Sequence, residues 1–132
     1  MDTCFVTSFD EHYFEYSKVA VKTLAENWHG EEKLPVICLV PNHILDKELE
    51  YSSSINQTNI DISFRSYSLL EDIYYDYKIS PIPNLRSWVE NNSSPYNVHS
   101  SHRIFMASLC REYSKAVYLD PGAIVLRDIS PI

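Results

Sequence analysis

Glycine is nearly missing from this chain of 132 residues, which contains only Gly30 and Gly122. A glycine-rich phosphate loop needs several glycines close together, so that backbone N–H groups can approach the phosphate oxygens, and this chain cannot form one. Cysteine is scarce as well. Cys4, Cys38 and Cys110 are far apart, lie among apolar residues and form no CxxC pair, which indicates buried free thiols in a reducing cytosol.

Long apolar runs and an excess of positive charge are also missing. The longest apolar stretches have about seven residues, far short of a membrane span. The first residues, Met1-Asp2-Thr3, lack the basic start of a signal peptide, so we expect a cytoplasmic protein without a membrane span. The formal net charge of −7 argues against nucleic acid as a partner, and an anionic ligand would need a local positive site.

The chain does contain an alternation of apolar runs and segments with helical periodicity. Apolar and β-branched runs predict strands over residues 3–9, 34–40 and 60–67, and a last pair of strands on either side of Asp120. Helices are predicted over residues 13–28, 44–51 and 99–113. In the first helix, i, i+3, i+4 spacing predicts a buried face made of Tyr16, Val19, Ala20, Leu24 and Trp28.

This alternation predicts a single α/β domain over residues 1–132. Most of the strands are continuously apolar rather than half polar, which is typical of a mostly parallel, Rossmann-like sheet with helices on both faces. Such sheets bind ligands outside the carboxyl ends of their strands. Two of these ends carry polar side chains, at residues 8–13 after the first strand and at Asp120 after a later one.

The first of these ends is Ser8-Phe9-Asp10-Glu11-His12-Tyr13. Ser8 and Asp10 are small polar residues that can contact a base or ribose, and backbone N–H groups at the following helix start favour anions. Tyr13 could stack on a nucleobase. In the alternative interpretation, Asp10 only caps the helix and Tyr13 only packs at its start.

The second end is Asp120-Pro121-Gly122. Two carboxylates separated by one residue can converge on a divalent cation that bridges the phosphates of a nucleotide diphosphate. Asp120 supplies the first carboxylate, whereas the second position holds Gly122. Asp128 is too distant to replace it, at roughly 26 Å along a strand. In the alternative interpretation, Asp-Pro-Gly is a type II β-turn between two strands.

A third candidate is Arg103, early in the predicted helix 99–113. The forked guanidinium can bind phosphate, although a solvated surface arginine is the alternative. His99 and His102 could share a helix face, but two imidazoles without a third ligand are a weak indication of a metal site. No GxSxG motif or activated cysteine is visible, so no nucleophile or general base can be assigned.

Taken together, these segments resemble glycosyltransferase family 8, which includes glycogenin and bacterial galactosyltransferases. The similarity lies in three stretches that keep the family's order and spacing over nearly the whole chain. They read FVTSFDEHY at residues 5–13, RIF at 103–105, and YSKAVYLD at 113–120 followed by IVLRDISP at 124–131.

The resemblance implies a GT-A fold and transfer of a hexose, with retention, from a nucleotide sugar that is usually UDP-linked. It places uridine and donor contacts at the first strand end, at Thr7, Ser8, Asp10 and Tyr13, and a basic donor contact at Arg103. Asp120 corresponds to the first aspartate of the family's DxD motif and Gly122 to the second. The motif is therefore degenerate, and the Mn²⁺ or Mg²⁺ cofactor of the family is expected to bind weakly here.

The resemblance also implies that residues 1–132 are the N-terminal, nucleotide-binding part of a longer catalytic domain. The half that binds the acceptor, a glycan or a protein, and that carries a further metal-binding histidine would follow residue 132. Two other interpretations stay open. The domain could be a catalytically inactive nucleotide-binding or interaction domain on the same fold, or an unrelated α/β domain in which Asp-Pro-Gly is only a turn.

Overall fold

The computed structural model describes residues 2–66 and 110–129. Its centre is a parallel sheet of four strands, in the order β3-β2-β1-β4. These strands are β1 (Thr3–Ser8), β2 (Leu34–Val40), β3 (Ile60–Ser66) and β4 (Lys115–Tyr118). The prediction of a parallel α/β sheet is confirmed, since strands buried on both faces are continuously apolar and β1 and β2 are nearly fully buried.

Helical segments connect the first three strands. Helix α1 spans Phe14–Glu26, a 3₁₀ helix spans Asn42–Lys47, and α2 continues directly from it over Glu48–Ile55. The helix predicted over residues 44–51 is thus two segments and extends to Ile55. It ends at Asn56, which adopts a left-handed conformation with φ of 51° and donates its N–H to the Ser52 carbonyl.

The predicted buried face of α1 is wrong in part. Tyr16 is 67% exposed and Val19 is 52% exposed, whereas Ser17 is fully buried. The Ser17 hydroxyl donates to the Phe14 carbonyl at 2.8 Å and lies 2.9 Å from the Tyr51 hydroxyl. Because its hydroxyl has hydrogen-bond partners, Ser17 can be buried, and the buried face of α1 is rotated from the face that its apolar residues predict. The apolar periodicity alone does not reveal this rotation.

The core lies between one face of the sheet and the helices α1 and α2. Its largest fully buried side chain is Tyr51 of α2. The centroid of the Tyr51 ring lies 5.2–5.3 Å from the ring centroids of three phenylalanines, Phe9, Phe14 and Phe64. The opposite face is also buried at Cys4, Val6, Ile37 and Leu39, which alternate with the core residues along β1 and β2.

The chain after α1 requires glycine at one position. The Trp28 indole folds over Gly30 and donates its Nε1–H to the Glu32 carbonyl at 2.9 Å. A Cβ atom at Gly30 would lie 2.3 Å from this ring. Gly30 is therefore retained for space and not for backbone conformation, because its φ is not positive.

The second strand of the pair predicted around Asp120 does not form. Residues 123–129 form no strand but lie along the C-terminal half of α1. The Val125 N–H donates to Thr23 Oγ1 at 3.0 Å, Asn27 Nδ2 donates to the Val125 carbonyl at 2.9 Å, and the Ile129 N–H donates to the Asn27 carbonyl at 3.2 Å. The hydrogen-bond partners of this apolar run therefore lie at the C-terminal end of α1 and not on a neighbouring strand.

The helix predicted over residues 99–113 falls mainly outside the described residues. Its described part, residues 110–113, forms a turn in which the Tyr113 N–H donates to the Cys110 carbonyl at 3.0 Å. Within the two described ranges, no helix is both long and apolar enough to cross a bilayer.

Candidate functional site

The strand order creates a switch point between β1 and β4. From β1 the chain moves outward to β2 and β3, and it then returns to the other side of β1 to form β4. Parallel α/β sheets bind ligands in the crevice outside the carboxyl ends of their strands at such a point. The residues that follow β1 and β4 here are those of the β1–α1 loop and Asp120.

Hydrogen bonds hold these ends in register. β1 pairs Val6 with Tyr118, and the Leu119 N–H donates to the Val6 carbonyl at 2.7 Å. Val6 and Tyr118 are the last pair between these strands, so Ser8 and Asp120 each follow two residues later at the same edge of the sheet. The two segments that the sequence singled out thus lie next to each other in the fold.

The β1–α1 loop is organised by Asp10. Its Oδ1 accepts the N–H groups of His12 at 3.0 Å and Tyr13 at 3.3 Å, and its carbonyl accepts the Tyr13 N–H at 3.2 Å. Asp10 therefore shapes the turn before α1, but it does not cap the helix, because the N-cap position is Tyr13 and no side chain caps it. Tyr13 directly precedes α1 with 38% of its surface exposed, and its ring centroid lies 6.1 Å from that of Tyr16.

The other predicted contacts are less accessible. Ser8, the last residue of β1, is buried. Thr7 is also buried and lies on the same side of the strand as the core residues Phe5 and Phe9. The Thr7 hydroxyl has no hydrogen-bond partner within the part of the chain that the structure describes. Arg103 lies outside the described residues.

Asp120 begins a tight turn that is not the predicted type II turn. The Ala123 N–H donates to the Asp120 carbonyl at 2.9 Å, and the Gly122 N–H donates to Asp120 Oδ1 at 2.9 Å. A type II turn requires a positive φ at its third residue, and Gly122 does not have one. The aspartate side chain stabilises the turn by accepting the Gly122 N–H at Oδ1.

The turn does not fit a divalent cation held by the protein. Asp120 offers one carboxylate, and one oxygen of that carboxylate already accepts a backbone N–H. Over residues 2–66 and 110–129, no three His, Cys, Asp or Glu side chains are grouped to hold a metal ion. Hard cations require several oxygen ligands, which this turn does not supply.

Sequence reasoning missed the residues that follow β2 at the same edge. His43 Nε2 lies 2.7 Å from Glu11 Oε2, which joins the 3₁₀ helix to the β1–α1 loop. The Glu11 carboxyl has a lowered pKa, first because of a backbone hydrogen bond and then because of His43. Asn42 accepts a hydrogen bond from the Ser66 hydroxyl at the end of β3. Their position directly after a buried strand was the signal available in the sequence.

Comparisons with known proteins support the fold. No protein-family model and no curated protein matches the chain. Among solved structures, the chain is similar to the crystal structure of mouse xyloside xylosyltransferase 1 in its apo form, with a TM-score of 0.58 and 11% sequence identity. The match covers 92% of this chain and 43% of that one, so this chain spans less than half the length of that protein. The GT-A fold class is confirmed, and the chain has a glycosyltransferase-like fold.

Proposed function

We propose that this chain is the donor-binding part of a family 8 glycosyltransferase that uses a UDP-sugar. The observation that carries the proposal is the switch point, where the β1–α1 loop and Asp120 follow two neighbouring parallel strands. Its location in a fold similar to that of a xylosyltransferase supports a nucleotide sugar as the ligand. A ligand there lies with its base near Tyr13 and its diphosphate near Asp120.

The chemistry at this site is mainly electrostatic. When the bond between sugar and diphosphate breaks, negative charge grows on the leaving diphosphate, and groups fixed in advance around it lower the barrier. In this proposal Arg103 offsets part of that charge and Asp120 contacts the ribose. Transfer proceeds with retention to a glycan or protein acceptor, as the family resemblance implies.

A second candidate function is nucleotide binding without catalysis. The observation that favours it is Gly122, because it leaves Asp120 as the only carboxylate of this turn. The Asp120 carbonyl and Oδ1 also already accept backbone hydrogen bonds within the turn. Such a domain would bind UDP but would not break the sugar–phosphate bond. Release of UDP from a UDP-sugar in the presence of acceptors separates the two functions.

The proposed function is tested by titration calorimetry with UDP and ADP in the absence of metal. We expect UDP to bind weakly, with a Kd on the order of 0.1–1 mM, because the described residues offer few cations for the diphosphate. ADP should bind roughly tenfold more weakly or not at all, since the polar loop and Tyr13 are proposed to recognise uracil. Equal affinity for both nucleotides, or no binding of either, contradicts the base site.

Tyr13 provides a sharper test because Tyr16, in the first turn of the helix that follows it, is a matched control. Tyr13→Ala should weaken UDP binding roughly fivefold, near the lower end of the ~1–3 kcal/mol that stacking on a base contributes, since the ring is only partly covered. Tyr16→Ala removes a more exposed ring of the same pair and should leave the UDP affinity unchanged. Calorimetry and a thermal melt are measured on both variants. A Tyr13→Ala protein with a lower Tm and unchanged affinity would assign Tyr13 to packing alone.

A further inference from the structure

A contact between two side chains joins the residues after β1 to those after β2, at the edge of the sheet where the proposed site lies. His43 Nε2, in the 3₁₀ helix, lies 2.7 Å from Glu11 Oε2 in the β1–α1 loop, and both side chains are more than half exposed. The two residues can meet because β1 and β2 are parallel neighbours whose carboxyl ends lie at the same edge. The contact thus connects the loop that is proposed to hold the nucleotide to a second element.

The 3₁₀ helix is the fixed side of this contact. Directly before His43, Asn42 Oδ1 accepts a hydrogen bond from the Ser66 hydroxyl at the end of β3. Directly after it, Ile44 is 2% exposed within the core and donates its N–H to the Pro41 carbonyl at 3.2 Å. Because both neighbours of His43 are anchored, its backbone is held in place and its side chain can serve as a fixed point for the loop.

The β1–α1 loop is anchored at its ends and exposed between them. Phe9 and Phe14 are buried in the core, whereas residues 11–13 are exposed. Glu11 lies two positions before Tyr13, so its contact with the 3₁₀ helix also restricts the positions that the Tyr13 ring can take. The arrangement of the loop therefore depends on this contact as well as on the hydrogen bonds within the loop.

The charge of this pair changes with pH at one of its two members. The Glu11 carboxyl has a pKa below its usual range, first because of a backbone hydrogen bond and then because of the His43 side chain, while burial and Asp10 act in the opposite direction. The adjoining segments also carry Asp10 and His12 in the loop, Glu15 and Lys18 in α1, Asp46 and Lys47 in the 3₁₀ helix, and Glu48 in α2. Glu11 stays ionised between about pH 5 and about pH 8, where histidine side chains gain or lose their proton. Over this range the charge of the pair itself changes at His43 alone.

We propose that His43 is a positioning residue of the donor site, which in its protonated form holds Glu11 and the β1–α1 loop in the arrangement that binds the nucleotide. This inference rests on the proposed function, because it requires the nucleotide to lie at that loop. When His43 loses its proton, the ionic attraction to Glu11 is lost and the loop also occupies other arrangements. The apparent affinity for UDP then falls in proportion to the fraction of molecules that keep the binding arrangement.

The test measures UDP affinity by calorimetry at about pH 6 and about pH 8 for the native chain, His43→Gln and Glu11→Gln. At about pH 6 the native chain should bind UDP about threefold more tightly than either variant, a small factor because exposed ion pairs contribute little. At about pH 8 the three proteins should bind UDP equally. Ratios to the native affinity are compared, because the terminal phosphate of UDP itself loses a proton near about pH 6 in every sample.

Two further variants separate charge from shape. His43→Lys keeps a positive charge at both pH values, so it should bind UDP about threefold more tightly than His43→Gln at about pH 8 as well as at about pH 6. His29→Gln removes an exposed histidine beyond the C-terminal end of α1, at the opposite end of the helix from the loop. It should follow the native chain at both pH values. Thermal melts establish that each variant is folded, and either His43→Gln or Glu11→Gln suffices if the other is not.

Three results overturn the inference while UDP still binds, and they leave the proposed function standing. His43→Gln could match the native affinity at about pH 6, or it could lower the affinity by the same factor at both pH values, as a contact without a role for charge would. Glu11→Gln could keep the native pH dependence, which would show that His43 does not act through Glu11. If the native chain binds no UDP at either pH, the proposed function is contradicted and this inference fails with it.

Discussion

Gly122→Asp is expected to make UDP binding dependent on Mn²⁺, with a gain in affinity of roughly 30-fold, or about 2 kcal/mol, when the metal is added. In the wild-type protein the gain should stay below about threefold, because Asp120 alone leaves a bound cation mostly coordinated by water. The backbone conformation at residue 122 can accommodate an aspartate. Gly122 lacks a positive φ, and the nearest atom to an added Cβ is Asp120 Oδ1 at 3.5 Å, an ordinary contact.

The control for this experiment is Gly122→Asn, which adds nearly the same shape without the charge. It should fold equally well and show no gain with Mn²⁺, so that any difference reports the second carboxylate. Thermal melts of both variants come first, followed by UDP calorimetry with and without metal. A folded Gly122→Asp protein without metal dependence counts against a GT-A metal site at this turn. Tight binding of Mn²⁺ and UDP by the wild-type protein would show that its site is not degenerate.

Tyr51→Ala is expected to lower the free energy of unfolding by about 3–5 kcal/mol, which is a large part of the stability of a typical domain. Tyr51 is fully buried, and its ring contacts those of Phe9, Phe14 and Phe64. Removal of the ring leaves a cavity at the junction of α1, α2 and the sheet. Urea unfolding followed by circular dichroism measures the loss.

Tyr51→Phe isolates the hydroxyl from the ring. The Ser17 hydroxyl proton is donated to the Phe14 carbonyl, so the Tyr51 hydroxyl donates to Ser17 Oγ. Loss of this one bond should cost only about 0.5–1.5 kcal/mol, because Ser17 keeps its own donor bond. If the alanine and phenylalanine variants were equally unstable, the polar contact and not the aromatic packing would hold α2 against the sheet.

Much of the fold could be predicted from the sequence because strands buried on both faces are continuously apolar. β2 begins and ends where its apolar run does, and the predicted first strand extends one residue beyond β1. The rotation of α1 could not be predicted, since it depends on Ser17, whose burial is stabilised by a partner 34 residues away. The run Ile124-Val125-Leu126 has strand-like composition, yet its partners are Thr23 and Asn27 of α1.

The candidate site was predictable in position more than in detail. The polar residues after β1 and β4 could be located from the ends of apolar runs, and the parallel sheet brings those ends together. The inward direction of Thr7 depends on which face of β1 meets α1, and the Asp120 turn depends on a side-chain hydrogen bond. His43 was missed because the residues after β2 were treated only as a helix start. The roles of all these residues in donor binding stay predictions.

The strand order also has a consequence for the protein while it is being made on the ribosome. β1, β2 and β3 can pair once residue 66 has emerged from the ribosome, but the other edge of β1 is paired only after residues 115–118 have also emerged. At ~5–20 residues per second, the intervening ~50 residues take roughly 3–10 seconds. During that interval one edge of an apolar central strand is open to pairing with other chains. We therefore expect the nascent chain to aggregate most readily before β4 has paired with β1, so that slower translation past residue 66 should increase its losses.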